Sequence, residues 1–175
     1  GGDCPVTDLR HAFASTENLI VAPGRLLLPS GPRPGLAVLL KAGRFAEIAE
    51  AEVLRARHPG AGRVELPHHL MMPGFIDTHT HLTQSLGKSL VFGEPSEIFR
   101  RIWVPLEGSL DEHMVYLSAK LAALECLRGG FTTAVDAGTR SAGHVGRLAD
   151  AARETGLRTV IARICNDLGG SAEIP

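Results

Sequence analysis

Aromatic residues are scarce in this chain, at 5% with one Trp and one Tyr, and net charge is nearly absent at −1. Near-neutrality leaves no electrostatic footprint for nucleic acid or an anionic membrane surface. No apolar run approaches the roughly 20 residues that a membrane-spanning helix needs. We therefore expect no nucleic-acid and no membrane partner. Cysteine is sparse too: Cys4, Cys126 and Cys165 make an odd count without Cys-x-x-Cys spacing. That argues against a disulfide framework or a structural zinc site and for a reduced, cytoplasmic setting. Cys126 on a helix and Cys165 on a strand then serve as small core residues. No Gly-x-Gly-x-x-Gly follows any expected strand, which weakens a dinucleotide-binding fold. The start, Gly1-Gly2-Asp3-Cys4-Pro5, is neither basic nor apolar and does not read as a signal peptide. It also lacks a methionine, so we expect the natural start to lie upstream.

What is present is concentrated in one string, Pro73-Gly74-Phe75-Ile76-Asp77-Thr78-His79-Thr80-His81. The apolar run Leu70-Met71-Met72-Pro73-Gly74-Phe75-Ile76 leads into it and reads as a buried strand over 70–78. Side chains alternate along a strand, so His79 and His81 share a face at its C-terminal end. Two imidazoles side by side on a rigid element make half of a transition-metal site. In parallel α/β proteins the C-terminal ends of strands are where active sites are built. A lone His-x-His is usually chance; the strand and the Pro-Gly leading into it make this pair candidate metal ligands.

The chain of 175 residues suffices for one ordinary domain or slightly more. Residues 1–69 read as part of a small antiparallel sheet. Leu19-Ile20-Val21 and Leu26-Leu27-Leu28 are separate short strands, with Pro and Gly between them. Leu36–Leu40 and Arg44–Ile48 flank a turn at Ala42-Gly43, which is hairpin spacing. A short helix over 50–57 precedes a last strand at Val64-Glu65-Leu66. From 70 to 175 the pattern becomes strand, helix, strand, helix, strand. Residues 82–108 show no clear period apart from the apolar cluster Ile98, Phe99, Ile102 and Trp103. Ser109-x-x-Glu112 reads as a capping box opening a helix, with Met114, Leu117, Leu121, Leu124 and Leu127 on its buried face. Gly129-Gly130 ends it. Phe131–Val135 is the second strand. Ser141 caps a second helix with Val145, Leu148, Ala149 and Ala152 inward and Gly156 at its end. Thr159–Ile164 is the third strand. Repeated strand–helix–strand units imply a parallel α/β sheet. A (β/α)8 barrel needs roughly 200 residues or more, so only about three of its eight strands fit here. We expect a fragment whose open, apolar strand edge keeps it from folding alone.

The 73–81 string resembles the first-strand signature of the amidohydrolase superfamily, metal-dependent hydrolases built on a distorted (β/α)8 barrel. The segment Gly35–Ile48 is similar to that family's N-terminal hairpin, whose β-sandwich is completed by strands from the extreme C-terminus. His81-Leu82-Thr83-Gln84-Ser85-Leu86, Ile102-Trp103-Val104-Pro105-Leu106-Glu107 and Leu124–Thr133 look like the aminohydrolase branch. That branch holds the guanine, 8-oxoguanine, pterin and adenosine-analogue deaminases and the triazine chlorohydrolases. The resemblance implies that His79 and His81 ligate one divalent metal ion, zinc first and iron second. It implies a further histidine, an aspartate and the proton-handling catalytic groups on later strands, beyond residue 175. It implies a small heterocyclic substrate, a purine, pterin or triazine-like ring whose amino group is displaced by water, and a homo-oligomer. The alternatives are a cyclic-amide or peptide hydrolase of the same superfamily, or a non-catalytic scaffold relative.

The resemblance places Gln84 where the branch carries a glutamine that hydrogen-bonds the ring of its substrate; an ordinary polar loop residue is the equal alternative. Trp103 reads as a plate over an aromatic substrate or, at least as well, as a plug beneath the long loop. Val104 separates it from Pro105, where many relatives run Trp-Pro directly. Asp77 shares strand parity with both histidines; it reads as a hydrogen-bond partner of a ligand histidine or, more safely, as a buried structural partner. Asp136, ending the second strand, reads as facing the mouth of the site or, more often, as a structural cap or loop anchor. His68 and His69 are expected in a loop, and His11, His58, His113 and His144 facing solvent.

Overall fold

The structure is a computed structural model that describes residues 17–94, 97–141 and 145–164. The chain divides after Pro73 into two units.

In the first unit, β1 (Asn18–Leu28) is flanked by β2 (Gly31–Arg33), β3 (Leu36–Lys41) and β5 (Gly62–Met71), and β3 pairs with β4 (Arg44–Glu50). The two short strands expected around Pro23-Gly24 are one strand, whose register slips between Pro23 and Arg25. A bulge absorbs the breakers without ending the strand. The β3–β4 hairpin closes through Ala42 and Gly43, both at positive φ (48° and 72°) as a tight two-residue hairpin demands. The sheet is mixed rather than antiparallel: β5 runs parallel to β1 from Leu19↔Gly62 to Leu26↔Met71. It is ten residues long instead of three and carries His68 and His69, which are exposed strand residues and not loop residues. β1 is buried on both faces. Ile20 and Ala22 pack with Ala37, Leu39 and Leu54, and Leu19 and Val21 pack with Val64. Leu54 comes from α1 (Ala51–Arg57), the short helix read from the sequence. His58, expected to face solvent, is half-buried with Nε2 3.2 Å from Glu47.

The second unit is a parallel three-stranded sheet of β6 (Phe75–Thr80), β7 (Phe131–Asp136) and β8 (Arg158–Ile161), in that order. The strand expected over 70–78 thus belongs to two elements: Leu70 and Met71 end β5, and β6 starts only after Pro73-Gly74. Between β6 and β7 the chain forms a 3-10 segment (Leu82–Val91), a π-type turn (Phe99–Trp103), α2 (Val104–Ser109) and α3 (Glu112–Arg128). Asp111, not Ser109, caps α3, its carboxylate accepting the Met114 N–H at 2.8 Å. The Ser109 hydroxyl turns back to the Leu106 carbonyl.

The buried face of α3 is also not the expected one. Val115, Ser118, Ala119, Ala122 and Ala123 are inward, while Met114, Leu117, Leu121 and Leu124 are exposed. Both sets recur at helical spacing, and the small set lets the helix approach α4 (Val145–Thr155) and the 3-10 segment closely. The core joins Leu82, Leu110, Val115, Ala119, Ala122, Leu148 and Ala151. Full burial of a leucine such as Leu82 or Leu148 contributes about 1.5–3 kcal/mol. In α4, Leu148 and Ala152 are buried as expected, and Ala151 takes the place of Ala149. Its start lies beside residues 142–144, outside the described ones, as do Cys4, Cys165, His11 and His144. Cys126 is half-buried on α3, and burial pushes its thiol up. Phe75, Ile76 and Val160 are exposed strand residues. No helix among the described residues is long and apolar enough to cross a membrane.

Candidate functional site

β6 delivers His79 and His81 to its C-terminal end, but not through regular alternation. Asp77 stands opposite Ala134 and Thr80 opposite Asp136, so β6 spends one residue more than β7 over this stretch. Bulges of this kind re-aim side chains beside active sites. The Asp77 carboxylate accepts the backbone N–H of His79 at 3.1 Å and so braces the irregular stretch. It touches the backbone of a candidate ligand rather than its ring.

The two imidazoles lie with ring centroids 5.4 Å apart and planes at 84°. Two imidazoles ligating one zinc tetrahedrally, at Zn–N of about 2.0–2.1 Å, put their centroids about 5 Å apart. The separation of the two rings is of that size. The proton on His81 is placed as well: Nδ1 lies 2.8 Å from the carbonyl oxygen of Gly138. A carbonyl only accepts, so Nδ1 carries a hydrogen, which leaves Nε2 as the nitrogen that bears the lone pair in the neutral ring. Metal-ligating histidines are commonly held in this way. Among the described residues no third His, Cys, Asp or Glu joins the pair.

Asp136 fixes the Gly138 carbonyl. It ends β7 fully buried, accepting the Leu82 N–H at 2.8 Å through one oxygen and the Gly138 N–H at 2.8 Å through the other. Burial pushes its carboxyl up, while the two N–H donors and the nearby His81 pull it down. The loop-anchor reading of Asp136 matches this geometry. Gly138 sits at φ +100°, where a Cβ would lie 2.7 Å from the Ile164 side chain.

Gln84, Trp103 and His81 border one cavity of about 290 Å³, together with Cys126 of α3. The Gln84 amide donates to Glu107 at 3.2 Å, and Trp103 is half-buried at the rim.

Sequence reasoning missed the partner of Gln84. Glu107 is fully buried and gathers the Thr83 hydroxyl at 3.0 Å, the Arg140 backbone N–H at 3.2 Å and the Arg140 guanidinium at 2.8 Å. The Thr139 hydroxyl lies 3.2 Å from both Thr83 and Ser141 hydroxyls, and Ser141 donates to the Glu107 carbonyl at 2.6 Å. Arg140 stacks on Phe99 at 4.1 Å. Its Nε is buried without a partner among the described residues. Glu107 lies inside a quoted motif, Trp103-Val104-Pro105-Leu106-Glu107, yet nothing local marks it as buried.

A parallel strand–helix sheet with two neighbouring imidazoles at a strand's C-terminal end defines an α/β protein with a candidate metal site. Residues 70–173 match the profile of the Amidohydrolase family, and the chain belongs to that family. It is 31% identical over 159 residues to the 5-methylthioadenosine/S-adenosylhomocysteine deaminase of Syntrophobacter fumaroxidans, covering 88% of this chain and 35% of that protein. The chain thus spans about a third of the length of that curated relative. Among solved structures it resembles an adenosine deaminase from Xanthomonas campestris with bound zinc, with TM-score 0.71 and 21% identity. That match covers 82% of this chain and 33% of the other. It also resembles the E. coli guanine deaminase, with TM-score 0.69 and 21% identity over 87% of this chain and 37% of the other.

Proposed function

We propose that the protein is a metal-dependent deaminase that exchanges a ring amino group of a purine-like heterocycle for the oxygen of water. The observation that supports it most is the His79–His81 pair, with His81 held by Gly138 so that Nε2 is available. Membership of the Amidohydrolase family and the deaminase names of its relatives support this reaction class. We read the second unit as the first three strand–helix units of a (β/α)8 barrel and the first as part of a composite β-sandwich.

In this reading His79 and His81 hold one divalent cation, zinc before iron. When bound, such a cation acts as a Lewis acid and brings the pKa of water toward neutrality. The chain's own contribution is orientation. The Gly138 carbonyl keeps the proton of His81 on Nδ1, and Asp136 holds Gly138 and Leu82 in place. Gln84 and Trp103, on the same cavity as His81, supply a hydrogen-bonding amide and an aromatic face to a planar ring.

The test is elemental analysis of the complete protein beside its His79→Ala/His81→Ala variant, then an ammonia-release screen on purines and pterins. About one zinc or iron per chain, lost in the variant, with ammonia released, supports the reading. Two metals per chain favour cyclic-amide or peptide hydrolysis instead. No metal in the wild type overturns it.

A further inference from the structure

We infer that Arg140 is a positioning residue for His81, acting through its buried pair with Glu107 on the turn that carries Gly138. The inference rests on His81 being a metal ligand. It concerns a residue outside the ligand pair and outside the cavity that His81 borders.

The Gly138 carbonyl belongs to a turn, residues 137–141, that has left β7. Asp136 holds the front of this turn through the Gly138 N–H. The back is held by Glu107, which receives both the backbone N–H and the guanidinium of Arg140. The same carboxylate takes the Thr83 hydroxyl, two residues after His81, and Thr83 lies 3.2 Å from the Thr139 hydroxyl. Glu107 thus ties the chain leaving His81 to the turn that grips the His81 ring. Arg140 is the cation that makes this carboxylate tolerable in a site where Glu107 has no solvent exposure.

Stability alone does not account for the pair. Two buried charges rarely stabilise a fold more than apolar groups of similar volume would, and their best-attested benefit is a fixed arrangement. Here the Arg140 side chain is 9% exposed and leaves Nε without a partner among the described residues, a further cost of its seat. Phe99, at 4.1 Å, holds the guanidinium on one face, so its placement is narrow. What the arrangement fixes is the distance between the Gly138 carbonyl and His81 Nδ1.

The experiment uses the complete protein, its Arg140→Met variant, and the Arg140→Met/Glu107→Gln double variant, in which neither charge of the pair remains. Metal affinity is measured by chelator competition well below the melting temperature, and the visible spectrum of the cobalt-substituted protein is recorded. Loosening a partner that orients a ligand histidine typically costs about 10–100-fold in metal affinity, and we expect a loss of that size in both variants. We also expect an altered cobalt spectrum, and a double variant that regains melting temperature without regaining affinity. Unchanged affinity and spectrum, with only the melting temperature lowered, overturn the inference and leave the proposed function standing. A wild-type protein that binds no metal overturns both.

Discussion

The Asp136 carboxylate accepts the backbone N–H of Leu82 at 2.8 Å, joining the end of β7 to the residue that follows His81. Its second oxygen takes the Gly138 N–H, so one buried side chain spans both segments that place the His81 ring. Asp136→Asn keeps the volume but turns one acceptor oxygen into an amide nitrogen. One of the two N–H groups then loses its partner. An unsatisfied buried donor costs about 1–3 kcal/mol, and we expect a destabilisation of that order in urea denaturation. A variant as stable as the wild type would show that neither contact matters to the fold.

Gly138→Ala tests the turn itself. The φ of +100° is strained for any residue with a side chain, and the new Cβ would meet Ile164 at 2.7 Å. Strain of this kind costs about 1–3 kcal/mol before the clash is counted. Thermal denaturation should show the loss, and metal affinity should fall with it because the Gly138 carbonyl must move. Wild-type values for both would refute the close approach.

The start of α3 separates two capping candidates. Asp111→Ala removes the side chain that receives the Met114 N–H and should cost about 1 kcal/mol. Ser109→Ala, which touches only the Leu106 carbonyl, should cost distinctly less. Equal losses in chemical denaturation would mean that both residues share the cap.

A surface cluster gives a pH signature. The Glu154 carboxyl is lowered chiefly by its hydrogen bond from Lys120, and also by Tyr116. Because its folded pKa lies below the unfolded value, its contribution is present above the unfolded pKa. That contribution is lost as pH falls through the folded pKa. The melting-temperature gap between wild type and Glu154→Gln should therefore be largest near neutrality. It should close as pH is lowered past about 4, the ordinary glutamate range. A gap that widens in acid would contradict the assignment.

Local pattern was enough for much of the second unit. The existence of a strand leading to His79 and His81, the Gly129-Gly130 stop, the second strand, a third strand (which ends at Ile161, short of the expected Ile164) and the family resemblance all depend on neighbours in sequence. It failed where two local readings were equally good. Met114, Leu117, Leu121 and Leu124 are spaced as regularly as Val115, Ser118, Ala119 and Ala122, and bulk favoured the wrong face. Leu70 and Met71 continue straight into Pro73, and only pairing with β1 assigns them to another sheet. Ser109 and Asp111 are both capping residues two positions apart, and which one meets the Met114 N–H depends on where α2 ends.

By itself the sequence determined that two histidines stand at the end of a strand in an α/β chain of the Amidohydrolase family, because strand period and motif are properties of contiguous residues. Tertiary structure alone decided which nitrogen of His81 carries the proton, since Gly138 lies 57 positions away. It also decided that Glu107, an acidic residue in an unpatterned stretch, is buried. The partners that make this possible, Thr83 and Arg140, are 24 positions before it and 33 after. A buried carboxylate is stable only where such partners converge, and convergence over those separations is a property of the folded chain.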